Sequence, residues 1–165
     1  MKHLAALLAV LLLAGCASAP VPRSSQTAAG LSAWQLNGRV SLTRGEEGWH
    51  ASLLWREQPD RYFLKISGPL GQGGFQLSGD SEGVMLVDAD GQTFVARDAD
   101  ALLQQVTSWQ LPVLGLRYWI RGLSAPAAGE SQLSYDDSGR PSRLIQSGWT
   151  VNYNKYQVVD GISLP

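Results

Sequence analysis

Between residues 34 and 43 apolar and polar side chains alternate. Trp34, Leu36, Gly38, Val40 and Leu42 fall on one phase, and Gln35, Asn37, Arg39, Ser41 and Thr43 on the other. A period of two sends successive side chains to opposite faces, so this run predicts a strand with one buried face. Residues 44–48 form a turn, and Trp49, Ala51, Leu53 and Trp55 then resume the alternation. Together the two runs predict an antiparallel hairpin. Gln58-Pro59-Asp60 breaks the chain, and residues 61–67 give a third strand with Tyr62, Leu64 and Ile66 on one face. Shorter strands are predicted over 75–78, 83–87 and 92–96, the last two joined through Asp90-Gly91, a pair that suits a tight hairpin turn.

The period changes after Ala96. Asp98 can cap a helix, and Asp100 falls in its first turn, where the dipole favours a carboxylate. Leu102, Leu103 and Val106 follow at helical spacing. A second short helix is expected from Pro112, carrying Leu116, Trp119 and Ile120 and ending at Gly122. Residues 132–135, 142–146 and 149–156 return to strand patterns, with a turn at Ser138-Gly139 and a bulge or bend at Ser147-Gly148. The order of about six strands, two helices and three or more strands predicts a mainly β fold with a helical insertion. The expected form is an open, unclosed antiparallel barrel with the helices covering one mouth.

The N-terminus reads differently. Lys2 precedes an unbroken run of Leu, Ala and Val from Leu4 to Leu13, followed by Ala14, Gly15 and Cys16. Such a run is too short to span a bilayer and has the shape of a signal peptide. Leu13-Ala14-Gly15-Cys16 resembles the lipobox of bacterial lipoproteins, which implies cleavage before Cys16 and lipidation of its thiol. Cys16 is the only cysteine of the chain, so no disulfide competes for it. The expected organisation is a signal peptide over 1–15, a lipidated N-terminus and flexible tether rich in Ala, Ser, Pro and Thr over 16–30, and one domain over 31–165. Of 165 residues, 150 follow the signal, a length that suits one domain able to bury its own core.

Composition narrows the function. The net charge of −1 carries no basic excess, so nucleic acid is not an expected partner. Charged residues make up 16% of the chain, below the usual share of about 25%, so the surface is less polar or the interior more apolar than normal. Past the signal the only histidine is His50, on the polar phase of its strand, which leaves a Ser–His–Asp triad one candidate base and a lipid hydrolase little to work with. A His or Cys metal cluster is excluded by count, and Asp88, Asp90, Asp98 and Asp100 lack calcium-loop spacing. No phosphate-binding glycine loop joins a strand to a helix. Binding without a metal or cofactor is expected.

The aromatic and aliphatic residues of the apolar phases allow two readings: a filled core with a protein-binding face, or a hydrophobic cavity for acyl chains with the helices as its lid. The candidates for cavity and lid are Trp34, Leu36, Trp49, Leu53, Trp55, Leu64, Ile66, Phe75, Leu116, Trp119, Trp149 and Val151. The loop of residues 68–74 is the most unusual local feature. Leu70 is its single large apolar residue among Gly68, Pro69, Gly71, Gln72, Gly73 and Gly74. Either Leu70 folds back onto the core, or it forms an exposed tip. An exposed tip forgoes about 1.5–3 kcal/mol of burial and so calls for an apolar partner.

Several segments, taken together, resemble the LolB family of outer-membrane lipoprotein receptors: Trp34-Gln35-Leu36-Asn37-Gly38-Arg39, Leu53-Leu54-Trp55, Ser67-Gly68-Pro69-Leu70-Gly71, Asp90-Gly91-Gln92, Leu116-Arg117-Tyr118-Trp119-Ile120-Arg121-Gly122 and Gln146-Ser147-Gly148-Trp149-Thr150-Val151-Asn152-Tyr153. The resemblance implies an unclosed barrel lidded by helices around a hydrophobic cavity. It implies acceptance of lipoproteins from a LolA-type periplasmic carrier by a monomeric receptor, and their placement in the phospholipid of the outer membrane, on its periplasmic side. It also implies that Gly68, Pro69, Leu70 and Gly71 form a membrane-inserting loop, and it favours the cavity over the filled core. Ala17 differs from the Asp that marks inner-membrane retention in the enteric pathway. Family members continue with a further strand region past the position of Leu164-Pro165, so the domain is expected to be truncated there.

Overall fold

The computed structural model describes residues 27–44, 47–69 and 73–165, with only the backbone described for 42–44, 47 and 48. The signal segment, Cys16, Leu70 and Gly71 lie outside the described residues.

Among the described residues, eleven strands and two helices follow a 3₁₀ turn at Ala28–Gly30. Strands β1 (Trp34–Arg44), β2 (Glu47–Glu57), β3 (Arg61–Ser67), β4 (Gly74–Asp80), β5 (Val84–Val87) and β6 (Thr93–Ala96) form one antiparallel sheet in sequence order. The β1–β2 register runs unbroken from Trp34↔Glu57 to Arg44↔Glu47. The strict alternation of residues 34–43 requires this, because a one-residue slip would turn every apolar side chain to the other face. Asp80 closes the β4–β5 turn by accepting from the Glu82 and Gly83 amides at 2.8 and 3.2 Å. Asp88 closes the β5–β6 loop by accepting from Asp90 and Gln92 at 3.0 and 2.9 Å. Gly91 in that loop takes the positive φ (80°) that the Asp90-Gly91 pair anticipates.

Helices α1 (Ala99–Thr107) and α2 (Val113–Trp119) interrupt the strands. Asp98 caps α1 as expected, accepting from the Ala101 amide at 2.7 Å. Asp100 does more than complement the dipole: its Oδ1 accepts from the Val113 amide at 2.8 Å, so one helix caps the next. Burial pushes the Asp100 carboxyl above its ordinary range, against the opposing hydrogen bond from Val113. Helix α1 lies against β5 and β6.

Three strands, β7 (Ser131–Tyr135), β8 (Pro141–Gln146) and β9 (Trp149–Asn152), make a second sheet, and β10 (Gln157–Val159) pairs with β11 (Ile162–Leu164) in a third. The sheets do not close into a barrel, in agreement with the open fold expected from the sequence. Two details differ from the sequence reading. Ser147-Gly148 is not a bulge but the two-residue turn of the β8–β9 hairpin, between Gln146 and Trp149, with positive φ at both positions (51° and 77°). The strand expected over 149–156 ends at Asn152. The Tyr153 amide still donates to the Ser142 carbonyl of β8 at 3.0 Å, and the hydroxyls of Tyr153 and Tyr156 donate to the carbonyls of Trp119 (2.8 Å) and Pro141 (2.6 Å).

Candidate functional site

The inner face of the six-stranded sheet and the helices share one apolar cluster. Trp55, Leu64, Ile66, Phe75, Leu77 and Leu86 come from the strands, and Leu102, Leu103 and Val113 from the helices and their junction. Around it pack Trp34, Leu36, Trp49, Leu53 and Leu116, together with Trp109 and Leu111 of the inter-helix loop. Nine of the twelve cavity and lid candidates therefore meet in one place. Trp119, Trp149 and Val151 do not. Trp119 is buried, but it faces the second sheet, where its indole donates to Gln146 Oε1 at 2.8 Å and its ring lies 6.3 Å from Trp149. Val151 pairs with Leu144 in that sheet, and Trp149 is exposed. Trp119 and Trp149 join the end of α2 to the second sheet, and Val151 belongs to that sheet; none of the three lines the inner face of the first.

Gln146 is the centre of that joint. Its Oε1 accepts from Trp119 and from the Ala125 amide (2.9 Å), and its Nε2 donates to the carbonyls of Ala125 (2.8 Å) and Gly129 (2.9 Å). A buried amide with every polar atom paired fixes geometry at little cost.

The cluster has two unlike ends. Where β1 begins and β2 ends, the groups are charged. Glu57 is buried and ion-paired with Arg117, and it also accepts from the Trp55 indole at 3.2 Å. Arg117 lies 5.1 Å over the Tyr62 ring. Burial pushes the Tyr62 hydroxyl up to about 12, with Arg117 acting in the opposite direction. Arg121 lies over the Trp34 and Tyr118 rings at 5.9 and 5.4 Å, and it donates to the carbonyls of Ala28 (3.2 Å) and Leu31 (3.1 Å). Its burial lowers its own pKa from the usual guanidinium range, while Glu57 opposes that shift. This arginine fixes the point at which the N-terminal segment enters the domain.

The opposite end is aromatic. Trp109 stands edge-on to Trp49 at 4.6 Å and to Phe75 at 5.8 Å. The β3–β4 connection belongs to this end, because Ser67 pairs with Gly74 there. Gly68 is buried and Pro69 exposed. His50 is exposed and bonded to Ser41 Oγ at 2.8 Å, which is the polar-face position its phase predicts.

Leu77 and Leu86 share the alternating phase of Phe75 and Val84, so the period of two already marks them as core. Trp109 had no periodic signal, being in a loop. Glu57, Arg117, Arg121 and Gln146 had none either, because their partners are distant in sequence. No helix among the described residues is long and apolar enough to cross a membrane.

A family model described as "Outer membrane lipoprotein LolB" matches residues 32–165. The relatives named Outer-membrane lipoprotein LolB include one from Chromohalobacter salexigens, 39% identical over 96% of this chain and 78% of its own length. One from Alkalilimnicola ehrlichii is 37% identical over 96% and 84%. One from Stutzerimonas stutzeri is 36% identical over 100% and 86%. The match runs through both the six-stranded sheet and the second sheet with its helical joint, and the chain belongs to the LolB family of outer-membrane lipoproteins.

Proposed function

We propose that this protein is the outer-membrane receptor of the lipoprotein-sorting pathway: a binding protein, not an enzyme, that accepts lipoproteins from a LolA-type carrier and releases them into the membrane. The observation that carries this reading is family membership across the folded domain, joined to an inner face whose side chains form one apolar cluster with Trp49, Phe75 and Trp109 at one end. Acyl chains gain about 0.8 kcal/mol for each CH₂ withdrawn from water. A carrier must therefore hand them directly to a second apolar surface, and the Trp49, Phe75 and Trp109 rim supplies one. With no nucleotide-binding motif in the chain, transfer runs down a gradient of affinity, each tenfold step of which takes about 1.4 kcal/mol.

Cys16 is the lipid anchor in this reading. Leu70, at the tip of the loop between Ser67 and Gly74, enters the bilayer and opens a path for the cargo's acyl chains. The test is a two-stage assay with lipoprotein on the carrier, then on the receptor, then in liposomes. Leu70→Glu is expected to accept cargo as the parent does and to fail in delivery. Loss of acceptance together with a clearly lower melting temperature would instead make Leu70 a core residue. A fluorescent fatty-acyl probe separates the receptor from a filled-core assembly factor, which would not take up the probe.

A further inference from the structure

We propose that the outer face of the six-stranded sheet, beside the loop of residues 68–73, holds a site for a phosphate group, and that its natural occupant is the headgroup of an anionic phospholipid. The inference rests on the receptor reading, which brings this loop to a bilayer.

The site is an open recess of about 490 Å³ lined by Arg39, His50, Ser52, Ser67, Gly68 and Pro69. The sheet register assembles it. Arg39 pairs with Ser52, and Ser52 with Ser67, so the three lie in one row across β1, β2 and β3. Alternation turns them away from the buried neighbours Ala51 and Ile66 and onto the outer face. The adjacent row is the Ser41↔His50 pair. Ser41 Oγ and His50 Nδ1 lie within hydrogen-bond distance at 2.8 Å, and in the tautomer in which Ser41 is the donor the Nε2–H is left as a donor for a ligand.

The residues lining the recess bring one guanidinium, one imidazole and two hydroxyls, and no carboxylate. Arg56 and Arg61, on the same face, donate to Gln35 and Gln58. Arg39 has no such partner among the described residues, and neither described ion pair includes it. A guanidinium presents two parallel donors to a phosphate, and single hydroxyls complete the oxygens. The recess lies at the base of the loop that carries Leu70. A headgroup held there would set the depth to which the tip can sink.

The experiment uses the mature lipidated protein in neutral detergent. Acyl-free glycerophosphoglycerol and inorganic phosphate are titrated separately by phosphorus NMR, and delivery of lipoprotein is measured into vesicles of phosphatidylcholine with and without phosphatidylglycerol. The glycerophosphoglycerol signal is expected to shift with the parent protein. Arg39→Gln should weaken binding about tenfold or more, as expected for a lost charge-assisted bond, and Arg39→Lys should restore part of it. Delivery should be faster into the anionic vesicles, and Arg39→Gln should erase that preference without changing the melting temperature. Tighter binding of glycerophosphoglycerol than of phosphate supports the headgroup as occupant. Equal or tighter binding of free phosphate keeps the anion site but overturns the headgroup assignment. Identical titrations of the parent and Arg39→Gln overturn the site. Failure of all delivery, from any vesicle, would sink the receptor reading, and the titrations would still decide the site.

Discussion

At one end of the six-stranded sheet a buried carboxylate, two arginines and two indoles bind the strands to helix α2 and to the incoming N-terminal segment. At the other, three aromatic rings meet edge to face, beside a loop made largely of glycine. The first end is held by directional bonds that fail when one partner is removed. The second is held by apolar contact, which a hydrocarbon chain can replace at little loss. A protein that must keep its fold while exchanging greasy cargo gains from this division, since cargo can enter at the aromatic end without breaking an ion pair. The proposed anchor at Cys16 adds a constraint, because the N-terminal segment enters at the charged end and the proposed membrane loop lies at the other.

That geometry gives the largest expected effect. The row through Arg39 and Ser67 lies five residues along β1 from Trp34, or about 17 Å at strand spacing. Cys16 and Thr27 are eleven positions apart, with a reach of about 40 Å when fully extended. Deleting residues 18–25 leaves about 10 Å, too little to bring the aromatic end to a bilayer in which a lipidated Cys16 would sit. Uptake of an acyl probe should be unchanged, and delivery to the protein's own membrane should be lost. Undiminished delivery would mean that the domain works with its sheet lying along the bilayer, and the contrast between the ends would lose its directional meaning.

Next in size is the charged end. Glu57→Gln preserves shape and an acceptor for the Trp55 indole but leaves Arg117 without its counter-charge. Removing one partner of a buried pair costs about 3 kcal/mol at the lower end of its range, or a fall in Tm of about 10 °C. Below the new Tm, acyl-probe affinity should hold. The mirror experiment is Trp109→Ala, which removes the ring shared by Trp49 and Phe75. Its side chain is half-buried, so the stability cost should be smaller, about 2 kcal/mol, while probe affinity should fall. Equal losses of stability and affinity in both variants, by calorimetry and probe titration, would show the ends to be one cooperative unit.

The comparison also explains what was legible in the sequence. The period of two in residues 34–43 and 49–55 is repeated by the β1–β2 register, because a half-buried strand leaves no other arrangement of Trp34, Leu36, Leu53 and Trp55. The apolar cluster follows from the same phase. The charged end and the joint at Gln146 did not, since the contacts of Glu57 with Arg117 and of Gln146 with Trp119 join positions 60 and 27 residues apart. Periodicity carries no information about such pairs. Residues 149–156 misled for a related reason: the apolar pattern runs on past Asn152, but it is the long-range hydroxyl bonds of Tyr153 and Tyr156 to Trp119 and Pro141 that fix this segment beyond the β8–β9 register. Trp119 was placed with the cavity and lid because it shares helical spacing with Leu116 and Ile120, and only its bond to Gln146 reveals that its indole turns to the second sheet.

The smallest effect concerns pH and sharpens the comparison without altering either end's packing. Tyr62 lies under Arg117, and burial raises its hydroxyl from 10.0 to about 12. In the unfolded chain the phenol ionises at its ordinary value near 10. A group whose folded pKa lies above its unfolded one contributes stability that is whole below the unfolded value and is lost as pH rises through the folded one. The charged end should therefore weaken between pH 10 and about 12, where the aromatic rim, with no titrating group among Trp49, Phe75 and Trp109, should not respond. Tyr62→Phe keeps a ring beneath Arg117 and removes the ionisation, so its melting temperature should decline less steeply than the parent's over that interval. Tyr153, raised to about 12 by burial where α2 meets the second sheet, titrates in the same interval and remains in both proteins. The measurement is the difference between the two melting curves as pH is raised. Parallel curves would mean that Tyr62 ionises without cost to the fold, and that the charged end is held by Glu57 and Arg117 alone.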